Sequence, residues 1–186
     1  MMQARIGPNA VLQLVGVLDR DLGRQARDRV FAGLRLPPPD SGMIPQAEAI
    51  AAHLALRAAL PERADTLLAA AGEATASYIL RHRIPAVARG LIRLLPARIG
   101  ARVLARAIER HAWTFAGSGR FRVAGLSPLV FELHDNPLAQ DGAACVWHAA
   151  VFRRLFERLV WRRVRVVETR CAGQGGDLCR FELHPD

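Results

Sequence analysis

The sequence contains no lysine, few aromatic residues and no long apolar run. All 26 basic residues are arginines and 17 residues are acidic, which gives a formal net charge of +9. A helix that crosses a membrane needs about 20 consecutive apolar residues, and no stretch of the chain reaches that length. The first 21 residues also lack the basic, apolar and small-residue order of a secretory signal peptide. We therefore expect a cytoplasmic protein without a membrane span.

The excess of arginine limits the classes of partner. Arginine pairs well with carboxylates and phosphates, so the charge favours nucleic acid, an anionic membrane surface, or an acidic ligand or protein. Nucleic-acid binding usually goes with a recognised motif or with basic residues between aromatics. The sequence has neither, so we expect no nucleic-acid partner. Five arginines are clustered in a region interrupted by prolines, and they could contact ligand carboxylates, an acidic partner or only water. They are Arg81, Arg83, Arg89, Arg93 and Arg98.

Apolar periodicity divides the chain into a helical part and a mixed part. Helices punctuated by proline are predicted first, over residues 8–34, 45–60, 61–83 and 96–111. A mixed pattern of strands and one helix follows. The strands are predicted over residues 121–123, 129–134, 163–169 and 178–184, and the helix over residues 144–161. We therefore predict an α+β fold, in which a helical region (residues 1–110) packs on a small antiparallel sheet. The sheet lies in a lobe over residues 111–186, and both parts form one compact domain.

The three cysteines are too few for a disulfide framework in a cytosolic chain. Cys171 and Cys179 flank a glycine-rich hairpin tip, which would bring their thiols together. Glu168 precedes Cys171 by three residues, and Cys145 begins a helix whose dipole favours a thiolate. Three thiolates and one carboxylate suit a closed, structural zinc site at the C-terminal hairpin, which the adjoining arginines at 170 and 180 could support. The alternative is a buried, inert set of thiols, and spacing alone leaves it open because the pair is not C-x-x-C.

Sequence motifs resemble a known family. The segment CAGQGGDLCRF, residues 171–181, resembles the signature of the 4-vinyl reductase domain. Related phenol-sensing domains hold zinc with three cysteines and one glutamate, which implies that role for Cys145, Glu168, Cys171 and Cys179. Longer segments resemble the bacteriochlorophyll 4-vinyl reductase branch of the family, namely RIGPNA (5–10), RIP (83–85), HAWTFAGSG (111–119) and CVWHAAVF (145–152). The resemblance implies a helix-rich α+β fold related to TRAPP subunits, a common dimeric state and a role in making bacteriochlorophyll.

The reductase activity that the family name implies has no visible cofactor motif. No G-x-G-x-x-G follows a strand, three cysteines are too few for an iron–sulfur cluster, and zinc does no redox chemistry. We expect no nicotinamide, flavin or iron–sulfur cofactor. Our hypothesis is a carrier or accessory protein that binds a porphyrin or magnesium-porphyrin intermediate. The alternatives are a divinyl-to-monovinyl reductase with an external electron donor, and an aromatic-sensing module of the kind fused to ATPase and DNA-binding domains.

A tetrapyrrole needs an apolar slot, and a metal in the ring takes an axial ligand. His111, Trp113 and Phe115 alternate along a glycine-rich segment and would point the same way if it were extended. Trp147 and His148 follow Cys145, and a neutral His148 imidazole could ligate magnesium. The alternative is that the aromatic residues are core and His148 is a hydrogen-bonded helix residue. Expected partners are a tetrapyrrole, a second copy of the chain and, as candidates, magnesium chelatase or magnesium-protoporphyrin methyltransferase.

Overall fold

The computed structural model describes residues 4–186, so the first three residues of the predicted helical region lie outside it. Six helices make up the N-terminal part of the described chain: α1 (Asn9–Leu22), α2 (Arg24–Val30), α3 (Gln46–Ala59), α4 (Pro61–His82), α5 (Ala86–Leu94) and α6 (Ala97–Arg110). No described helix is both long and apolar enough to cross a bilayer.

Proline and glycine set the helix boundaries. Pro61 is the first residue of α4, and Pro85 and Pro96 directly precede α5 and α6, where the missing N–H of proline costs no helical hydrogen bond. The single helix predicted over residues 8–34 is wrong, because the chain breaks at Gly23. Its φ of +81° lies in the left-handed region that glycine adopts without steric cost. The break separates α1 from α2.

The second part of the chain forms an antiparallel sheet. Its four strands are β3 (Arg120–Leu126), β4 (Leu129–His134), β5 (Val164–Arg170) and β6 (Leu178–Pro185), in the order β3-β4-β6-β5. Phe131 in the central strand β4 pairs with Val123 on one side and Phe181 on the other. The predicted C-terminal hairpin is confirmed as β5 and β6. A two-residue pairing of β1 (Arg5–Ile6) with β2 (Ile44–Pro45) was not predicted.

One helix joins the two parts. Helix α7 (Val146–Leu159) packs on the inner face of the sheet, where the Phe152 ring lies 5.0 Å from Phe131 and 5.4 Å from Phe181. Its other side packs so closely on α4 that a Cβ on Gly72 would lie 2.4 Å from the Trp147 carbonyl oxygen. Burial of each of these phenylalanine side chains stabilises the fold by roughly 1.5–3 kcal/mol. The α+β class is confirmed, with helices packed on one face of an antiparallel sheet.

The outer face of the sheet holds a polar network. Glu132 of β4 is only 5% exposed and accepts hydrogen bonds from Arg122 Nε and Arg180 Nη1, each at 2.7 Å. Burial alone would raise the pKa of this carboxyl, and the two guanidinium groups bring it below its usual value. The network places the Arg180 guanidinium on the outer face of the sheet.

Candidate metal centre and the aromatic cluster beside it

Four side chains from separate elements meet at one end of the sheet. Cys145 caps α7, Glu168 lies near the end of β5, and Cys171 and Cys179 flank the hairpin tip. One ligand atom from each lies within 4.8 Å of all the others, so the group could hold a metal ion. The Cys145 sulfur lies 3.2 Å from that of Cys179 and 3.5 Å from that of Cys171, and all three cysteines are free. These separations are close to the roughly 3.8 Å expected between sulfurs on one tetrahedral zinc ion and far from the roughly 2.05 Å of a disulfide.

One carboxylate oxygen of Glu168 accepts a hydrogen bond, and the other has no hydrogen-bond partner among the described residues. Its Oε2 accepts a hydrogen bond from the Cys145 backbone N–H at 2.8 Å, which satisfies a free donor at the start of α7. Its Oε1 is buried and makes no hydrogen bond to the described residues. A buried carboxylate oxygen without a partner is costly, and a shared cation would supply the missing interaction. The donor set therefore fits a divalent metal.

Glycines allow the hairpin tip to fold back on Cys171. The Cys171 carbonyl accepts hydrogen bonds from the N–H groups of Gln174, at 3.1 Å, and Gly176, at 2.8 Å. A Cβ on Gly173 would lie 2.2 Å from the Gln140 carbonyl oxygen, and one on Gly176 would lie 2.7 Å from that of Cys171. The tip therefore needs glycine at both positions for steric reasons.

Asn136 is a functional candidate that the sequence analysis missed. It is 7% exposed, and its Nδ2 donates to the sulfurs of both Cys145 and Cys179 at 3.3 Å. Its Oδ1 accepts from the Leu138 N–H at 3.0 Å, which fixes the orientation of the amide. In the sequence, the residue is marked only by its place between the predicted strand over residues 129–134 and Pro137, which indicates a turn and not a metal site.

The two arginines expected to support the site have other partners. Arg170 pairs with Asp177, and Arg180 pairs with Glu132 on the outer face of the sheet. Adjacency in sequence to Cys171 and Cys179 did not bring them to the sulfurs, because neighbouring residues of a strand point to opposite faces. Among the described residues, the amide of Asn136 takes the supporting position instead.

The thiols do not ionise independently. The hydrogen bond from Cys145 lowers the pKa of Cys179 to about 6, against the effect of burial and with help from Asn136 and the Ala172 backbone. The same hydrogen bond, together with burial, raises the pKa of Cys145. Burial, followed by the nearby Glu168 carboxylate, raises the pKa of Cys171 to about 11. Without a cation the cluster therefore favours one thiolate, and a divalent ion would allow all three.

The segment that carries His111, Trp113 and Phe115 is not extended. Residues Ala112–Thr114 form a 3-10 turn, so the expected common direction of the three side chains is wrong. His111 is exposed, and its Nδ1 lies 2.9 Å from the Ala107 carbonyl oxygen. Trp113 is 59% exposed. These two candidates lie on the surface, whereas Phe115 packs against the core.

Phe115, Trp147 and His148 form an aromatic cluster in the interior. The His148 ring lies 4.8 Å from the Trp147 ring and 6.1 Å from the Phe115 ring. His53 also joins the cluster, 6.1 Å from Trp147, and was not predicted. Burial lowers the pKa of His148 to about 3, with a smaller effect from His53, so the imidazole is neutral at pH 7. Trp147 Nε1 and His148 Nε2 are buried without a hydrogen-bond partner among the described residues.

Comparisons with known proteins agree with this fold. The 4-vinyl reductase domain family (the V-4-R domain) matches residues 129–185, which include three strands of the sheet, α7 and all four candidate ligands. The unliganded H-NOX protein of K. algicida has a similar structure, with a TM-score of 0.69 at 15% identity over 97% of both chains. An H-NOX protein of S. oneidensis superposes with a TM-score of 0.62 at 9% identity, over 97% of this chain and 99% of its own. Residues 129–185 therefore match a 4-vinyl reductase domain, and the described chain has the same fold as H-NOX proteins.

Two relatives identify the branch. The bacteriochlorophyll synthase 23 kDa chain of Rhodobacter capsulatus is 56% identical, over 98% of this chain and 88% of the relative. The protein of the same name from Cereibacter sphaeroides is 54% identical, over 97% of this chain and 91% of the relative. The chain belongs to the family of bacteriochlorophyll synthase 23 kDa chains.

Proposed function

We propose that this chain acts in bacteriochlorophyll biosynthesis as a zinc-stabilised protein that binds a tetrapyrrole intermediate. Its relatives are named as chains of bacteriochlorophyll synthase, which supports a role in that synthesis. The observation that supports tetrapyrrole binding most directly is the buried, neutral imidazole of His148, whose Nε2 has no partner among the described residues.

Zinc is the metal that best suits the cluster. Thiolate ligands select soft or borderline metals, and three thiolates with one carboxylate complete a tetrahedron. No position would remain open for substrate, so the ion would have a structural role. It would fasten the start of α7 to the hairpin of β5 and β6, because Cys145 lies on the helix and Cys171 and Cys179 lie on the hairpin.

Elemental analysis of the purified protein tests the metal. We expect about one zinc per chain, and Cys171→Ser should remove it and lower the melting temperature. The matched control is Ser127→Cys, which adds an exposed thiol beside Leu129, at the end of β4 opposite to the Leu133–Cys179 pair, and should leave the zinc content unchanged. Protein that is fully folded and contains no metal, even after expression with added zinc, would contradict this part of the proposal.

The aromatic cluster has the chemistry of a tetrapyrrole site. Phe115 and Trp147 offer ring surfaces, and the His148 Nε2 offers an axial ligand for magnesium. One solved structure of the same fold, with a TM-score of 0.55 at 8% identity, is described as modulating haem redox potential through porphyrin distortion. His148 is 2% exposed, so we propose that the turn around Phe115, whose ring lies 6.1 Å from that of His148, separates from α7 to admit the ring. His111 and Trp113, at the surface end of this turn, would then lie at the mouth of the slot.

Titration with two porphyrins tests the role of His148. Magnesium protoporphyrin and metal-free protoporphyrin should both shift in absorbance on binding, and only the magnesium form uses an axial ligand. His148→Phe should weaken the magnesium form about tenfold more than the metal-free form, roughly 1.4 kcal/mol. His53→Phe is the matched control, because His53 is equally buried and its Nε2 lies 3.0 Å from the Ala10 carbonyl. Equal losses for both porphyrins would refute axial ligation, and no binding by the parent protein would refute the carrier function.

A separate assay of product formation distinguishes the alternative, an enzyme. If the protein with a reductant converts a divinyl tetrapyrrole into the monovinyl product, it is a reductase that borrows electrons from an external donor. The name of the relatives also supports contact with other proteins of the synthesis, for which magnesium chelatase and the methyltransferase are our candidates. Co-purification of magnesium chelatase or of the methyltransferase with the zinc-loaded chain would test these two partners. The oligomeric state of the chain in solution would test the expected second copy.

A further inference from the structure

The hairpin of α5 and α6 exposes an unusual amount of aliphatic surface. In α5, Ile92 is the only buried residue, while Leu94 is 84% exposed and Val87 is 75% exposed. Val87, Leu91 and Leu94 are spaced so that they share one face of the helix. Together with the exposed aliphatic residues that follow, they form what we call the apolar ridge: Val87, Leu91, Leu94, Leu95, Ile99 and Val103.

Hydrogen bonds hold α5 with this ridge facing outward. Arg89 Nη1 donates to the carbonyls of Leu80 and of Ile84, the latter at 2.9 Å, at the end of α4. Arg93 Nε donates to the Arg158 carbonyl in α7 at 3.1 Å. At 100° per residue these two arginines lie on the side of α5 opposite to Val87. The exposure of the ridge is therefore fixed by contacts of α5 with the rest of the fold.

The segment around the ridge has charge of one sign. No acidic residue occurs between Glu73 and Glu109, whereas seven arginines lie in this interval, at positions 81, 83, 89, 93, 98, 102 and 106. Seven positive charges and no negative ones make +7, out of the net +9 of the whole chain. Arg106 pairs with Glu109, while Arg98 and Arg102 on α6 pair with no carboxylate in residues 4–186. One hairpin that combines exposed aliphatic side chains with unpaired arginines complements an anionic apolar boundary.

We propose that the hairpin of α5 and α6 docks on the surface of an anionic lipid bilayer. The apolar ridge would enter the boundary between headgroups and acyl chains, and Arg98 and Arg102 would contact lipid phosphates. A second copy of the chain fits this face poorly, because two-fold pairing would oppose one set of seven arginines to another. A protein partner is less favoured because the ridge has no aromatic residue, the usual anchor of protein interfaces. This proposal is independent of tetrapyrrole binding.

Vesicle flotation tests the proposal. The intact, zinc-loaded protein is mixed with vesicles of phosphatidylcholine alone, or of about three parts phosphatidylcholine to one part phosphatidylglycerol. We expect flotation with the anionic vesicles and little with the neutral ones, and a decline as salt is raised. Arg98→Gln with Arg102→Gln should weaken partitioning about thirty-fold, since each arginine near such a surface contributes roughly fivefold. The matched control is Arg24→Gln with Arg29→Gln, which removes the same charge from exposed positions on α2, a helix that packs on α1 and α3.

Depth of insertion is tested separately. The tryptophan of Leu94→Trp should be quenched by brominated lipids, whereas that of Leu54→Trp, at a position 49% exposed on α3, should not. Leu91→Ser with Leu94→Ser should abolish flotation without changing the melting temperature, because both side chains are exposed. Three results would overturn the proposal: no flotation with anionic vesicles, equal flotation of the control and test variants, or a ridge variant that changes the oligomeric state instead.

Discussion

The substitution Asn136→Asp should weaken metal binding about 100-fold with little effect on the fold. The Asn136 amide donates to two sulfurs at 3.3 Å, and aspartate of nearly the same shape would lose both donors. Three thiolates and one carboxylate carry −4, and a divalent zinc ion leaves −2. The new carboxylate would add another negative charge beside this excess. Partners outside the ligand shell typically contribute 10–100-fold to metal affinity, and the added repulsion places the expectation at the upper end, roughly 2.7 kcal/mol.

Competition with a chromophoric chelator measures this affinity directly. Aspartate keeps the acceptor for the Leu138 N–H, so the loop before α7 should remain in place. Asn136→Ala removes the donors without adding charge and should cost only about tenfold. Asn9→Asp adds the same charge at the start of α1 and should leave the affinity unchanged. If Asn136→Asp binds zinc within about twofold of the parent, the amide does not stabilise the thiolates and this reasoning is wrong.

Two further predictions concern sterics and protonation. Gly173→Ala should destabilise the protein by about 1–3 kcal/mol in chemical denaturation, because the added Cβ would collide with the Gln140 carbonyl oxygen. The control Gly16→Ala lies in open space on α1 and should instead stabilise the protein slightly. Equal effects of the two substitutions would refute the steric argument. Burial lowers the pKa of His53 to about 4 and that of His148 to about 3, below the roughly 6.5 of an unfolded chain. The unfolded state therefore binds more protons below pH 6.5, and the free energy of unfolding should fall between pH 6.5 and 4 by up to about 2.7 kcal/mol per pH unit. His148→Phe should halve this slope, and an unchanged slope would show that the imidazole is not buried.

Local patterns predicted the hairpin that carries Cys171 and Cys179, whereas spacing left the full set with Cys145 and Glu168 open and the family resemblance implied it. Cys171 and Cys179 flank a glycine-rich turn, and a hairpin brings such positions together whatever surrounds it. Asn136 could not be found in this way. It lies in the loop between β4 and α7, and the fold alone brings its amide to the sulfurs of Cys145 and Cys179.

The wrong predictions have physical causes as well. The apolar spacing supports a helix only before Gly23, because residues 24–29 contain a single apolar residue, Ala26, so the predicted helix was carried past the break without that support. In the segment around Trp113, alternation of aromatic residues suggested an extended chain. The Thr114 carbonyl accepts the Gly7 N–H at 2.7 Å, a contact between distant residues that accompanies a 3-10 turn and leaves Trp113 exposed. Contacts of this kind depend on tertiary structure and cannot be read from local spacing.

The metal centre and the aromatic cluster are connected through α7. Cys145 is the residue before the first turn of this helix, and His148 follows it by three residues, about one turn further along. Because backbone hydrogen bonds make a helix rigid over so short a distance, the position of the Cys145 sulfur largely fixes that of the His148 imidazole. The close contact between Gly72 and Trp147 fixes the same turn from the side of α4. A structural ion at the hairpin would therefore do more than stabilise the sheet, since it would also hold the proposed axial ligand in place.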